Sequence, residues 1–177
     1  MVHIVDASAA HAAAIQDVYA HHVLHGVATF ETVPPSVADM AGRVRAIQAA
    51  GLPWLVAEDD GEVVGYAYLG PYRTREAYRS TLENSVYLRP AAQRRGVGRA
   101  LMAECIVRAE ALGYRQIVAV VGDSQNAGSV GLHKALGFRC IGTLEAVGFK
   151  HGRWLDTVFL QLTLGEGDTT APHVRTK

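Results

Sequence analysis

Apolar and polar positions follow two different periods along this chain, and the switches between them mark out its elements. Val2–Val5 is a short strand pattern, and Asp6 or Ser8 can cap the helix that follows. In that helix Ala12, Ile15, Tyr19 and His22 recur at helical spacing, and His25–Pro35 reads as loop. Ser36, with Asp39 three residues on, caps a second helix whose Val37, Met40, Val44 and Ile47 share one face and which stops at Gly51. Trp54–Glu58 and Val63–Leu69 flank Asp59-Asp60-Gly61, a strong hairpin signal. A basic, aromatic connector, GPYRTREAYRS, leads into Thr81–Leu88, a strand that puts Glu83, Ser85 and Tyr87 on one face. Val97–Leu112 is an amphipathic helix closed by Gly113, with Glu104 and Arg108 spaced as an i,i+4 pair. Ile117–Val121 is continuously apolar, the pattern of a strand buried on both faces. Asn126–Leu136 is a short helix ending at Gly137, and Phe138–Lys150 with Trp154–Leu164 forms a final hairpin around His151-Gly152.

The order β-α-α-β-β-β-α-β-α-β-β predicts an α/β fold in which one mixed central sheet is flanked by helices on both faces. Residues 1–164 read as a single domain, and the polar residues 165–177 as a tail expected to fray. With 49% hydrophobic and 19% charged residues, the 177-residue chain has the composition of an ordinary globular domain. Lys+Arg and Asp+Glu both total 17, which argues against nucleic acid or an anionic membrane as a partner. Any phosphate site must therefore be local. No apolar run approaches a membrane span, and MVHIVDASAAHAAA lacks the features of a signal peptide, so a cytoplasmic protein is expected. Cys105 and Cys140 lack metal-type spacing and read as reduced thiols.

One segment changes that bland picture. QRRGVGRALM (93–102) sets two arginines and two glycines between a strand and a helix, where exposed amides and the helix dipole favour an anion. The spacing of a P-loop is absent, and a dinucleotide fingerprint fails because Leu101 stands where its third glycine belongs. Gln93, Gly96 and Gly98 instead resemble [QR]-x-x-G-x-[GA], the pyrophosphate loop of the GNAT acetyltransferase superfamily. Asn126-Ala-Gly-Ser129-Val-Gly-Leu132-His133-Lys134-Ala-Leu-Gly137-Phe138 resembles the same superfamily's NxxSxxLYxxxGF segment. TFET (29–32), GYAYLGPYRTREAYRSTLENSVYLRP (65–90), LHKALGF (132–138) and GFKHGRWLDTVFLQ (148–161) narrow the likeness to the phosphinothricin and methionine sulfoximine N-acetyltransferases. The similarity spans most of residues 2–164. His133 stands where many GNAT enzymes have tyrosine, as it does in the herbicide-acetylating subfamily.

The resemblance implies a GNAT acyltransferase fold, acetyl-CoA as co-substrate and a homodimer. It makes Arg94, Arg95, Gly96, Val97, Gly98 and Arg99 the pyrophosphate loop, with Asn126 and Ser129 meeting the pantetheine arm. Val86, Tyr87 and Leu88 would offer it backbone groups. Glu83 matches the acidic residue proposed to take the proton from the attacking ammonium, and burial near a cleft would raise its pKa toward useful values. His133 would protonate the departing thiolate, its ordinary pKa suiting that task, although water can also serve. Phe30 would line the substrate pocket together with Arg73, Thr74, Arg75, Tyr78, Asn84 and Ser85. The two guanidinium forks suit a carboxylate or another compact anionic head.

The expected reaction is direct acetyl transfer to the α-amine of methionine sulfoximine, methionine sulfone or phosphinothricin, without metal or acyl-enzyme. His21 and His25 are four residues apart, but no carboxylate or cysteine accompanies them, and a helix C-terminus explains histidines there. Other acceptors on the same fold, a protein N-terminus or a polyamine, remain alternatives. So does a CoA-binding sensor that has lost the chemistry. The arginine pair counts against polyamines, and Glu83 with His133 counts against the sensor.

Overall fold

A computed structural model gives the structure of the protein and describes residues 1–172. Its seven strands form one sheet in the order β1-β2-β3-β4-β5-β7-β6. They are β1 (His3–Asp6), β2 (Trp54–Asp59), β3 (Glu62–Pro71), β4 (Thr81–Leu88), β5 (Gln116–Gly122), β6 (Arg139–Lys150) and β7 (Arg153–Thr163). Neighbours are antiparallel except β4 and β5, which run parallel. The α-helices are α1 (Ala12–His25), α2 (Val37–Ala49), α3 (Val97–Ala111) and α4 (Ala127–Ala135). A β4–α3–β5 crossover is what a parallel pair requires, because a hairpin cannot join strands that run the same way.

Local chemistry accounts for most boundaries. Ser36 Oγ accepts from the Asp39 amide at 3.1 Å and the Asp39 carboxylate accepts from the Ser36 amide, so the expected capping box starts α2. Asp60 and Gly61 both take positive φ (51° and 82°), the conformation a two-residue turn needs to match strand twist. His151 and Gly152 repeat the pattern in the last hairpin (50° and 75°). The Arg108 Nε–Glu104 Oε1 pair forms at 2.9 Å.

Two apolar clusters lie on opposite faces of the sheet. On one, Leu55, Ala57, Ala67, Leu69, Leu82, Ile117, Ala119 and Leu160 pack against Val97, Leu101, Met102 and Cys105 of α3. On the other, Trp54, Val56 and Tyr66 pack against Ile15, Val18 and Tyr19 of α1 and Met40 and Val44 of α2. The rings of Trp54 and Tyr68 stack there at 4.1 Å. Strand β2 thus contributes alternate residues to both cores, and its sequence is apolar without alternation.

Two expectations need correction. Strand β5 is not buried on both faces: Ile117, Ala119 and Val121 are covered by the α3 side, but Val120 is 37% exposed. Helices α1 and α2 pack on β2, β3 and β4, leaving that face of the β5–β7–β6 half open. Nor does the chain fray directly after β7. Arg115, only 8% exposed, donates from Nη2 to Thr170 Oγ1 at 2.9 Å and to Glu166 Oε2 at 3.3 Å, tying down the residues after Leu164. Residues 173–177 of the expected tail lie outside the described residues.

Candidate active site

The site originates in a ladder that stops early. Strand β4 pairs with β3 as far as Leu88, and β5 pairs with β7 as far as Gly122. Between β4 and β5, however, pairing runs only from Thr81–Gln116 to Asn84–Ala119. Past that point the two strands part, and the resulting V is lined by Asn84–Tyr87 of β4, Ala119–Gly122 of β5, and Asn126, Ser129 and His133 at α4. Ala28, from the loop between α1 and α2, closes one side.

Register decides which backbone groups the V exposes. The Arg89 amide donates to the Val64 carbonyl and the Tyr72 amide to the Thr81 carbonyl, so the odd-numbered residues of β4 direct their backbone groups into the β3 ladder. Asn84, Val86 and Leu88 therefore point theirs toward β5. The same alternation, set by Asp123 N to Asp156 O, aims Val120 and Gly122 of β5 back toward β4. Val86 and Leu88 thus direct backbone groups into the V, with the Leu88 carbonyl already accepting from His22. Tyr87 does not: its amide and carbonyl face β3, and its ring packs on Tyr19 at 5.0 Å and His22 at 5.3 Å. Val120, Gly122 and Ala28 were missed by sequence reasoning. Gly122 alone carried a signal, a glycine ending an apolar strand; its missing Cβ would lie 2.7 Å from the Val27 carbonyl.

The two faces of β4 divide the chemistry. Glu83 and Ser85 lie on the α1–α2 face, where the Tyr68 hydroxyl bonds Ser85. Burial raises the Glu83 pKa, and the Arg73 guanidinium pulls it back down to a lesser extent. Asn84, expected beside them in the substrate pocket, points the other way. It is 6% exposed, and its Nδ2 lies 2.9 Å from His133 Nε2 and 3.5 Å from Met102 Sδ. His133 is 2% exposed, and its Nδ1 donates to the Ser129 carbonyl at 2.8 Å. Burial lowers the His133 pKa, with the Ser129 bond opposing. An imidazole with both nitrogens occupied and its charged form disfavoured does not suit the expected task of proton donor near neutrality.

The connector reaches Glu83 without roofing the V. It spans the ends of β3 and β4 at Pro71 and Thr81, beside the narrow end of the opening. Arg73, Thr74, Arg75 and Tyr78 are all exposed. Arg73 stacks on Tyr72 at 5.0 Å and is the guanidinium whose field acts on Glu83, while Arg75 opens a short 3₁₀ turn over Glu76–Tyr78. Phe30, 40% exposed, rests where Gly148 and Gly122 leave room for its ring. Its loop is clamped by Lys150 Nζ on the Thr29 carbonyl (2.9 Å), by Tyr19 Oη on Thr29 Oγ1 (2.8 Å) and by a two-pronged Arg43–Glu31 pair. His22 donates from Nε2 to the Leu88 carbonyl at 2.8 Å, a specific partner beyond the helix dipole.

At the wide end, Gly96 caps α3 with φ 83° and Arg94 also takes a positive φ, 60°. The first bond of α3 runs from the Ala100 amide to the Gly96 carbonyl, so the amides of Val97, Gly98 and Arg99 have no partner in the helix. Positive-φ residues ahead of a helix N-terminus make a concave cluster of donors suited to phosphate. Val97 is buried in the core, whereas Arg94 and Arg99 are exposed beside the loop. Arg95 is already paired with Asp59, at 2.9 Å. Gly98 is packed: a Cβ there would meet Leu132 and Leu88 at 3.3 Å, so a large side chain would disturb the fold as well as a ligand. At α4, Asn126 Oδ1 caps the helix through the Ser129 amide at 3.1 Å. Neither thiol is a ready nucleophile for this cleft, since burial pushes Cys105 up to about 12 and Cys140 lies out on β6.

Residues 15–138 match the model of the acetyltransferase (GNAT) family. The chain is 54% identical over 160 residues to the phosphinothricin N-acetyltransferase of Alcaligenes faecalis, covering 90% of this chain and 81% of that one. It is 41% identical to the L-methionine sulfoximine/L-methionine sulfone acetyltransferase of Salmonella typhimurium, covering 90% and 93% respectively. A GNAT superfamily phosphinothricin acetyltransferase from Sinorhizobium meliloti, solved in complex with acetyl-CoA, superposes with a TM-score of 0.94 at 48% identity, covering 97% of this chain and 93% of that one.

If the α3 N-terminus holds a diphosphate, Arg99→Glu should weaken acetyl-CoA binding by about tenfold or more. It should leave binding of S-acetylpantetheine, which lacks the diphosphate, nearly unchanged. Calorimetric titration with both thioesters checks this, and equal losses would remove the loop from phosphate binding.

Proposed function

Because the chain belongs to the GNAT acetyltransferase family, we propose that it transfers the acetyl group of acetyl-CoA to the α-amine of a small amino-acid analogue. Glu83 carries this reading. It is a half-buried carboxylate with a raised pKa, on the face of β4 away from α3 and beside the narrow end of the V. Acetyl-CoA would lay its diphosphate on the amides before α3 and run its pantetheine arm along Leu88 and Val86. The thioester would then reach the region of Ser85. An amine arriving from the α1–α2 face would meet Glu83, lose a proton to it and attack the carbonyl carbon directly.

A base with a raised pKa is protonated, and idle, at pH values where an ordinary carboxylate already works. Activity should therefore rise with pH through a limb above the usual glutamate range. Glu83→Gln should abolish that limb and lower kcat at neutral pH by about 10²-fold or more. An unchanged pH–rate profile would remove Glu83 from the chemistry.

The acceptor class follows from Arg73 beside Glu83 and from the names of the relatives. Methionine sulfoximine, methionine sulfone and phosphinothricin each combine an α-amine with a compact, strongly polar head. We expect sulfoximine or sulfone to react at least as well as phosphinothricin. Arg73, rather than Arg75, is expected to orient the substrate: Arg73→Ala should raise KM by about tenfold. It should also move the acidic limb to higher pH, because the cation that lowers the Glu83 pKa is gone. Thiol release in a panel of acceptors tests the class. Reaction with polyamines or peptide N-termini alone would overturn it, and no turnover with any amine would favour a CoA-binding sensor.

The uncovered half of the sheet supports a homodimer. Ile141, Leu144, Val147, Phe149 and Trp154 are 50–65% exposed along the β6 edge and its hairpin, a surface that a lone soluble domain seldom leaves open. Ile141→Asp with Leu144→Asp should convert a dimer to monomer in sedimentation, and a monomeric parent protein would refute the pairing. Among the described residues no helix is long and apolar enough to cross a membrane. An enzyme that consumes acetyl-CoA would work in the cytoplasm, where that thioester is supplied.

A further inference from the structure

The wall of the V on the α3–α4 face contains a buried polar pair that the reading above does not use. The Ser129 carbonyl can only accept, so His133 Nδ1 carries a proton. At the other nitrogen stands the Asn84 carboxamide, 2.9 Å away. Its orientation is set by two acceptors around Nδ2, His133 Nε2 and Met102 Sδ at 3.5 Å. Turning the amide over would set its oxygen against both lone pairs. In this orientation Oδ1 is buried with no partner, an arrangement that costs stability. A buried amide that leaves its own oxygen unpaired while donating to an imidazole nitrogen is placed for that donation.

We infer that Asn84 is a positioning residue of the transfer cleft, holding His133 as the uncharged Nδ1–H tautomer with its Nε2 closed off. The ring is further seated edge-on against Phe138, centroids 5.0 Å apart at 86°. Burial and the Ser129 carbonyl are the influences on its titration, and no charged group is among them. This rests on the V being the site of acetyl transfer, and it changes the path of one proton. Glu83 removes the first proton from the substrate ammonium. The nitrogen then bonds to the acetyl carbon, and the C–S bond breaks with its electron pair on sulfur. One of the two protons on the now cationic nitrogen passes to that thiolate, directly or through water, and the other stays as the amide N–H. No imidazolium is needed, and Glu83 later releases its proton to solvent.

The test reads the histidine without turnover. In protein labelled with ¹⁵N-histidine, with His133 assigned from the signal lost in His133→Gln, the wild type should show a protonated Nδ1 and an unprotonated Nε2. That pattern should hold from about pH 6 to about pH 8, across the range where an ordinary histidine titrates. Asn84→Asp places a carboxylate against Nε2, so His133 should become an imidazolium with a raised pKa. Its kcat should fall by about tenfold or more at neutral pH and recover as pH climbs through that pKa, because the neutral ring is the working form. An imidazolium or an Nε2–H tautomer in the wild type near neutrality would overturn the inference. So would an Asn84→Asp enzyme at least as fast as wild type while its ring is charged. The wild-type spectrum stands even where the variant fails to fold. Failure of the acetyl-transfer reading would appear separately, as the absence of thiol release in the acceptor panel.

Discussion

Everything at this site depends on two parallel strands ceasing to pair. Strand β4 is committed to β3 on one side and β5 to β7 on the other, each for longer than they are committed to one another. Twist and outer partners pull them apart beyond Asn84 and Ala119, and the inner backbone groups of Val86, Val120 and Gly122, with the Leu88 amide, are left without a ladder. A polar backbone group buried without a partner costs about 1–3 kcal/mol. An extended ligand carrying amides of its own, as pantetheine does, can take the place of the missing strand pairs. The fold thus keeps an opening in its centre, walled by β4 and β5 and completed by α4 and by Ala28 of the α1–α2 loop.

That gap also separates two chemical environments. Side chains of β4 alternate across the sheet, so Glu83 and Asn84, adjacent in sequence, face opposite sides. Burial acts on both sides and shifts pKa values in opposite senses. It raises the pKa of the Glu83 carboxyl and lowers that of the His133 imidazole. The positive charge needed for phosphate stays at the far end, on an α3 N-terminus and exposed arginines, one of them already held by Asp59. In a chain with no net charge, positive potential for an anionic ligand can come only from such local placement.

The same separation shapes the acceptor side. Helices α1 and α2 cover only half of their face, and the loop between them is drawn over Gly122 and Gly148 and clamped by Lys150, a buried ammonium donating to backbone carbonyls. Phe30 is therefore a fixed part of the surface near the V, braced from β5 and β6. The exposed apolar residues of β6 continue from that brace toward the open half of the sheet, which ties the shape of the acceptor side to whatever covers that half.

Each α-helix and strand among the described residues was legible in the sequence, because capping boxes, positive-φ turn residues and apolar periods are local signals that each element carries for itself; the short 3₁₀ turns were not. Ser36 with Asp39, Asp60-Gly61 and the 3.6-residue period of α3 would read the same in any fold. The QRRGVG loop was legible for the same reason: a helix N-terminus with glycines ahead of it presents amides whatever surrounds it. Tertiary structure decided what each residue faces. It turned Asn84 and Tyr87 away from the roles expected of them, engaged both nitrogens of His133, left one face of β5 bare, held residues 166–171 through Arg115, and brought Arg73 rather than Arg75 to bear on Glu83. None of these can be read along the chain. Each depends on where strands far apart in sequence stop pairing and on which side of the sheet a helix comes to rest.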